Sequence, residues 1–315
     1  MNYLSRINNL SIKKKLILIN LPILILPTLI FGIIIINISN DAVIKRTQRN
    51  LQDSNIVIAD RISRVLTDSE NCSNYLTVNL NRIAEISGQK TNNVQDITID
   101  SLITQELNSA KIIFKEIESI AYLNTQGKLY YSDYRLLQNS SLIFKSKYTQ
   151  QLESSTGNSI WFDHEQRNFL VTDENQKVIT LGKKVWKITT GETLGYLYIN
   201  IDINEITKHL NNQLIDYYLV DQNSNIITTK EELEYTNNLN VLDVVGEKST
   251  FKIIKDKGAS YLTSKHNINK YNWDIVGITD LNVFNTEEKG FISLALIIIV
   301  SMIGISVILS ISFTN

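Results

Sequence analysis

At 315 residues the chain is longer than one hydrophobic core ordinarily organises, so two globular modules with accessory helices are expected. Its 31 basic and 32 acidic residues nearly balance, but residues 1–40 carry only Arg6, Lys13, Lys14 and Lys15 and residues 290–315 carry no charge, which leaves a mildly acidic segment from Asp41 to Lys289. Interspersed signs on such a segment exclude a nucleic-acid footprint, and Cys72 as the single cysteine excludes an intrachain disulfide and a thiolate metal cluster.

Residues 1–15 read as a cytoplasmic tail. Leu16–Ile38, "LILINLPILILPTLIFGIIIINI", is 23 residues without a charge, about 34 Å of helix against a hydrocarbon core of about 30 Å. The basic "KKK" ahead of it sets the amino terminus inside, and the following "NISND" offers no small-x-small cleavage site, so residues 16–38 are expected as an uncleaved first span. Pro22 and Pro27 predict a kink there, which neighbouring groups in a membrane can accommodate.

Residues 39–212 follow as a stalk helix and a first module. Ile58, Ile62, Val65, Cys72, Leu76, Leu80 and Ile83 recur in steps of three, four and seven, one face of a long helix. That stripe serves equally as a dimer seam or as the surface on which the helix packs against its own domain. A polar break, "QKTNNVQD", precedes a second helical pattern from Ile97 to Ala110. The period then changes to two: "ESIAYLNTQGKLYYSD" predicts strand, tight turn at Thr125 to Gly127, and strand. Val178–Ile188 and Leu194–Ile201 predict a further hairpin bracketed by Gly191 and Gly195, with Leu197, Ile199 and Ile201 facing one way and Tyr196, Tyr198 and Asn200 the other. "INEITKHLNNQL" predicts a short amphipathic helix.

Residues 213–289 form a smaller second module. "YLNTQGKLYYS" at 122–132 lies without a gap on "LVDQNSNIITT" at 219–229, an internal repeat that points to two related modules. "TFKIIK", "ASYLTSKHNI" and "NWDIVGIT" are its remaining strands. About ten residues after Asp280, residues 290–313 form a second span, uncharged from Phe291 to Phe313, and residues 314–315 begin a further linker. Neither span holds an ionisable side chain, which argues against transport.

Asp221, Asn223, Asn225 and Glu232 match positions 1, 3, 5 and 12 of a calcium loop, but the sixth position demands Gly and holds Ile226. His164, His209 and His266 have no zinc spacing. No GxSxG, P-loop, GxGxxG or HExxH occurs, so no metal, cofactor or enzyme activity is expected. Aromatics cluster in the first module, where core and sheet packing accounts for most of them and a minority lines a ligand pocket, with Tyr122, Tyr131, Tyr134, Trp161, Phe162 and Trp186 as the candidates.

Together the anchor, the long helix, the two unequal sheet modules, "GETLGYLYINIDINEI", "YNWDIVGITDLNVF" and the second span resemble the double Cache sensor region of bacterial receptors, and within these the YesM type of sensor histidine kinases. The resemblance implies an α+β fold of two tandem PAS-like antiparallel-sheet modules between transmembrane helices, the first distal to the membrane and the second proximal. It also implies a small-molecule ligand in the distal module, a homodimer through stalk and spans, and an extracellular sensor domain whose ligand shifts the spans to drive a two-component output. A chemotaxis receptor or cyclase output, or a membrane-anchored surface binding protein or enzyme, are the alternatives. In such receptors the second span enters a HAMP linker, just before which this chain stops. Amino-acid-binding relatives carry an Arg two residues before a Trp and an aromatic; here Trp161 and Phe162 match the aromatic pair and Ser159 stands at the Arg position.

Overall fold

Between Ile33 and Ser87 the chain has neither Gly nor Pro, so nothing in the backbone interrupts a helix, and one runs from Ile12 to Gly88 (α1). In the computed structural model the described residues are 12–88, 94–132, 143–165, 177–229, 250–256, 258–268 and 270–282, with scattered residues between 293 and 312. After α1 come α2 (Val94–Ile113), β1 (Ile117–Asn124), β2 (Leu129–Tyr131), α3 (Lys147–Ser154), β3 (Ile160–Glu165), β4 (Val178–Trp186), β5 (Thr193–Asp202) and α4 (Ile203–Leu210). The remaining strands are β6 (Asp216–Val220), β7 (Ile226–Thr229), β8 (Phe251–Asp256), β9 (Ala259–Ile268) and β10 (Trp273–Asp280). By internal contacts residues 54–250 with 265–277 form one compact unit, and residues 1–53, 251–264 and 278–315 another. Pro22 and Pro27 lie inside α1. Among the described residues no helix is long and apolar enough to cross a membrane; many side chains of Leu16–Ile38 and much of Phe291–Phe313 lie outside them.

The fold is α+β, with two five-stranded sheets in the orders β2-β1-β5-β4-β3 and β7-β6-β10-β9-β8. The second order is the first with each strand replaced by its counterpart, as the internal repeat predicts. The agreement reaches single atoms. In the first hairpin Asn124 Oδ1 accepts from the backbone N–H of Gln126 (3.0 Å) and Lys128 (2.8 Å); in the second Asp221 Oδ1 accepts from Asn223 (2.8 Å) and Asn225 (2.7 Å). Gly127 and Ser224, at equivalent places, both hold positive φ, 80° and 68°. A side chain that closes a turn on its own backbone is the physical content of the shared "Asn or Asp, then turn" pattern. Asp221 is occupied in this way, which accounts for the calcium-like spacing.

The stalk stripe is buried by the protein's own sheets. Ile58, Ile62 and Val65 pack with Ile179, Ile201, Tyr217 and Ile275, whereas Cys72, Leu76, Leu80 and Ile83 pack with Leu107, Ile120, Leu197 and Ile199. A dimer seam on α1 would therefore use another face. Burying each such aliphatic side chain stabilises by about 1.5–3 kcal/mol, an upper figure because the unfolded chain is already partly compact. α4 begins at an N-cap, Asp202, that accepts from Asn204 N–H at 2.8 Å, and buries Ile206 and Leu210.

One local expectation changes, and two elements are added. Gly195 belongs to β5 rather than to the turn, whose bonds run between Lys187 and Glu192 with Gly191 at φ 75°. A Cβ on Gly195 would stand 2.2 Å from Leu123 O, so the glycine permits the close approach of β1 and β5. α3 and β3, the latter carrying Trp161 and Phe162, were not anticipated. Eight and six residues are too few for a decisive period, and tertiary packing stabilises them.

Candidate functional site

Strand alternation gives the first sheet two different faces. Leu197 and Ile199 of β5 join α1 and α2 on one side, while Tyr196 and Tyr198 lie on the other with Ala121, Leu123, Phe162, Tyr148 and Leu152, as the alternation in β5 predicts. The second face is covered by α3, capped by Ser146, which accepts from Thr149 N–H at 3.3 Å. Sheet register and the α3 cover together bring its aromatic side chains into one cluster.

On that face Tyr148 meets Phe162 edge to face, centroids 4.9 Å apart. Gly182 of β4 leaves room for the Phe162 ring, since a Cβ there would stand 2.5 Å from Phe162 Cε2. Thr149 donates its hydroxyl to Ile143 O at 2.6 Å, so at the 2.5 Å contact with Tyr198 it is Tyr198 that donates. Burial pushes the Tyr198 hydroxyl's pKa upward. A buried polar row crosses the sheet, Thr180 donating to Asn200 Oδ1 (2.7 Å) and Asn200 Nδ2 donating to Ser119 Oγ (2.9 Å).

Two donors on this module are buried without a hydrogen-bond partner among the described residues, the Tyr131 hydroxyl and the Trp186 indole N–H. Burial raises the pKa of Tyr131 to about 12, so it stays protonated and able to donate. The Trp186 N–H lies beside Gly157, where a Cβ would stand 2.8 Å from it, and the Lys184 ammonium sits 4.7 Å from the indole centroid while donating to Glu153 O at 2.9 Å. A buried donor without a partner among the described residues, as the Tyr131 hydroxyl is on the apolar α3-covered face, is suited to meet an acceptor group of a small molecule with an apolar body. Among the described residues no cluster of His, Cys, Asp and Glu could hold a metal ion.

The six aromatic residues singled out by sequence fall in several places. Tyr131 and Phe162 belong to the α3-covered face, and Trp186 packs beside Gly157 just after α3. Tyr122 is on the opposite face, stacked on Tyr130 at 5.9 Å and donating to Leu194 O at 2.7 Å. Trp161 turns to Tyr271 and Trp273, each 5.8 Å away, in the cluster that holds Ile58, Ile62, Val65 and Leu66 of α1. Tyr134 lies outside the described residues. Thr149, Tyr198 and Lys184 had not been singled out; the alternation of Gly182, Lys184 and Trp186 along β4 was the signal that placed Lys184, obscured by the adjacent Lys183.

No protein-family model and no curated protein matches the chain by sequence. Solved structures do match its fold. The ligand-binding domain of the Campylobacter jejuni chemoreceptor Tlp3, in complex with L-norvaline, is 14% identical, with a TM-score of 0.60 over 78% of this chain and 95% of that one. The ligand-binding domain of Mlp24 with asparagine is 12% identical, with a TM-score of 0.57 over 78% and 96%. That of the Pseudomonas fluorescens chemoreceptor CtaA with L-serine is 14% identical, with a TM-score of 0.50 over 76% and 99%.

Proposed function

We propose that this chain is the extracytoplasmic ligand-sensing region of a membrane receptor, that its ligands are small metabolites of the free amino acid class, and that its output is of the chemotaxis type. The observation that carries the reading is coverage: the chain spans nearly the whole of sensory domains whose solved complexes hold L-norvaline, asparagine and L-serine. The Tlp3 and CtaA neighbours are chemoreceptor domains, which favours the chemotaxis output over the YesM-type kinase. They are also sensory rather than catalytic, in line with a chain that binds and does not turn over.

The ligand occupies the α3-covered face, its apolar body against Phe162, Tyr148 and Tyr196. The Tyr131 hydroxyl donates to a ligand oxygen. With Ser159 at the position of the family's Arg, Lys184 is the cation that meets a carboxylate. The two uncharged stretches, Leu16–Ile38 and Phe291–Phe313, anchor the chain on either side, with residues 39–289 outside and the two ends inside. Signalling then requires only that the ligand favour one of two arrangements, with couplings of about 1–3 kcal/mol typical.

Thermal unfolding of the full chain in detergent, with each of the twenty L-amino acids in turn, tests the ligand class. A ligand at 100 times its dissociation constant adds about 2.7 kcal/mol and raises Tm measurably. Absence of a shift with every one of them would remove the amino acid reading.

A further inference from the structure

The opposite face of the first sheet holds a half-open cavity of its own, about 440 Å³, lined by α1, α2, the β1–β2 hairpin and Leu194 of β5. Its volume is within the range of small-molecule sites. The floor is apolar, with Leu80 and Ile83 of α1, Ile103 of α2 and the stacked rings of Tyr122 and Tyr130. The rim is polar and of both signs. Asp100 accepts from the Lys128 ammonium on one carboxylate oxygen and from the Tyr130 hydroxyl, at 2.7 Å, on the other. Burial alone would raise the Asp100 pKa, but these bonds outweigh it and hold the carboxyl below its usual range, so it is ionised at neutral pH. Asn124 uses its carbonyl oxygen to close the turn, which directs its amide NH₂ away from those N–H groups, and Gln126 stands next to it on the rim.

We infer that this cavity is a second binding site, for a small zwitterion with an apolar body, lodged between α1, α2 and the β1–β2 hairpin with its ammonium on Asp100 and its carboxylate on Lys128. The charges decide the class. An amine alone would take Asp100 and leave Lys128 unpaired beside a new cation. A carboxylate alone would take Lys128 and leave Asp100 facing an anion. A zwitterion inserted between them leaves every charge paired, and the ion pair it opens is half exposed, the kind worth only about 0–1 kcal/mol. The apolar body replaces water over Leu80, Ile83 and Ile103, and the Asn124 amide donates to the carboxylate.

This site shares no residue with the α3-covered face, so the two readings stand or fall separately. Isothermal titration of the full chain in detergent uses L-leucine, with L-leucinol as the cation-only analogue and 4-methylpentanoate as the anion-only one. Leucine should bind at least tenfold more tightly than either analogue. Asp100→Asn and Lys128→Gln should each weaken leucine at least tenfold, and Lys128, being exposed, can be changed without threatening the fold. Tyr131→Phe, on the other face, should leave this binding in place. Absence of saturable leucine binding, equal binding of leucinol, or leucine binding retained in Lys128→Gln but lost in Tyr131→Phe would each overturn the proposal. The last result would at the same time support the α3-covered site.

Discussion

Tyr131→Phe removes one hydroxyl and leaves the ring in place, which makes it a direct test of whether the α3-covered face is arranged for a ligand rather than for stability. A buried hydroxyl without a partner costs about 1–3 kcal/mol, and the Tyr131 oxygen is buried and unpartnered among the described residues. The variant should therefore be more stable than wild type in the absence of ligand by about 1 kcal/mol or more. For a domain of about 150–250 residues that raises Tm by about 2–4 °C per kcal/mol, readable by calorimetry or circular dichroism. The same change should weaken binding of the ligand proposed for the α3-covered face, because the hydroxyl is the donor offered to it there, while leaving binding at the α1–α2–hairpin cavity in place. A pH arm adds an independent reading. The folded-state pKa of about 12 lies above the unfolded value near 10, so the protonated hydroxyl contributes fully below pH 10 and its contribution is lost as pH rises towards 12. The stability advantage of the Phe variant should accordingly widen across that window. A lower Tm for Tyr131→Phe at neutral pH would refute the reasoning, since it would mean that the hydroxyl has a partner.

Gly182→Ala should destabilise by about 1–3 kcal/mol, because its Cβ would stand 2.5 Å from the Phe162 ring and 3.0 Å from Leu152; an unchanged denaturation midpoint would show that the face is looser than its contacts imply. Asn124→Ala and Asp221→Ala each strip two backbone N–H groups of their acceptor, and each should cost about 1 kcal/mol in urea unfolding. A cost at only one of them would break the functional equivalence of the two hairpins. His209 on α4 has its pKa lowered by burial, then by Lys208, Arg61 and Arg64, with Glu205 opposing. Its neutral form therefore contributes stability that is present above about pH 6.5 and lost as pH falls below it, and His209→Gln should flatten the slope of Tm with pH in that region.

The long helix, the two hairpins, the direction of alternation in β5 and the tandem repeat are all legible in the sequence. Each is a local pattern, repeated often enough to be unambiguous. α3 and β3 were not legible, because they are short and owe their conformation to the sheet they complete. The site was legible only as a composition. Tyr122 and Tyr131 sit nine residues apart in one hairpin and yet fall on opposite faces, while Trp161 and Phe162, adjacent in sequence, point into different clusters.

What the sequence determined by itself is therefore the plan: a long helical stretch free of Gly and Pro from Ile33 to Ser87, followed by two related sheet modules in tandem. The tertiary structure alone decided which aromatic joins which wall. Bulges between Ile117 and Ser119 and between Val185 and Trp186 shift the pairing register and with it the match between chain number and face. It alone also brought Asp100 of α2 to Lys128 of the hairpin over one cavity, and Trp161 to Tyr271 and Trp273. Periodicity is set by neighbours along the chain, whereas a binding wall is assembled from residues that only the folded sheet brings together.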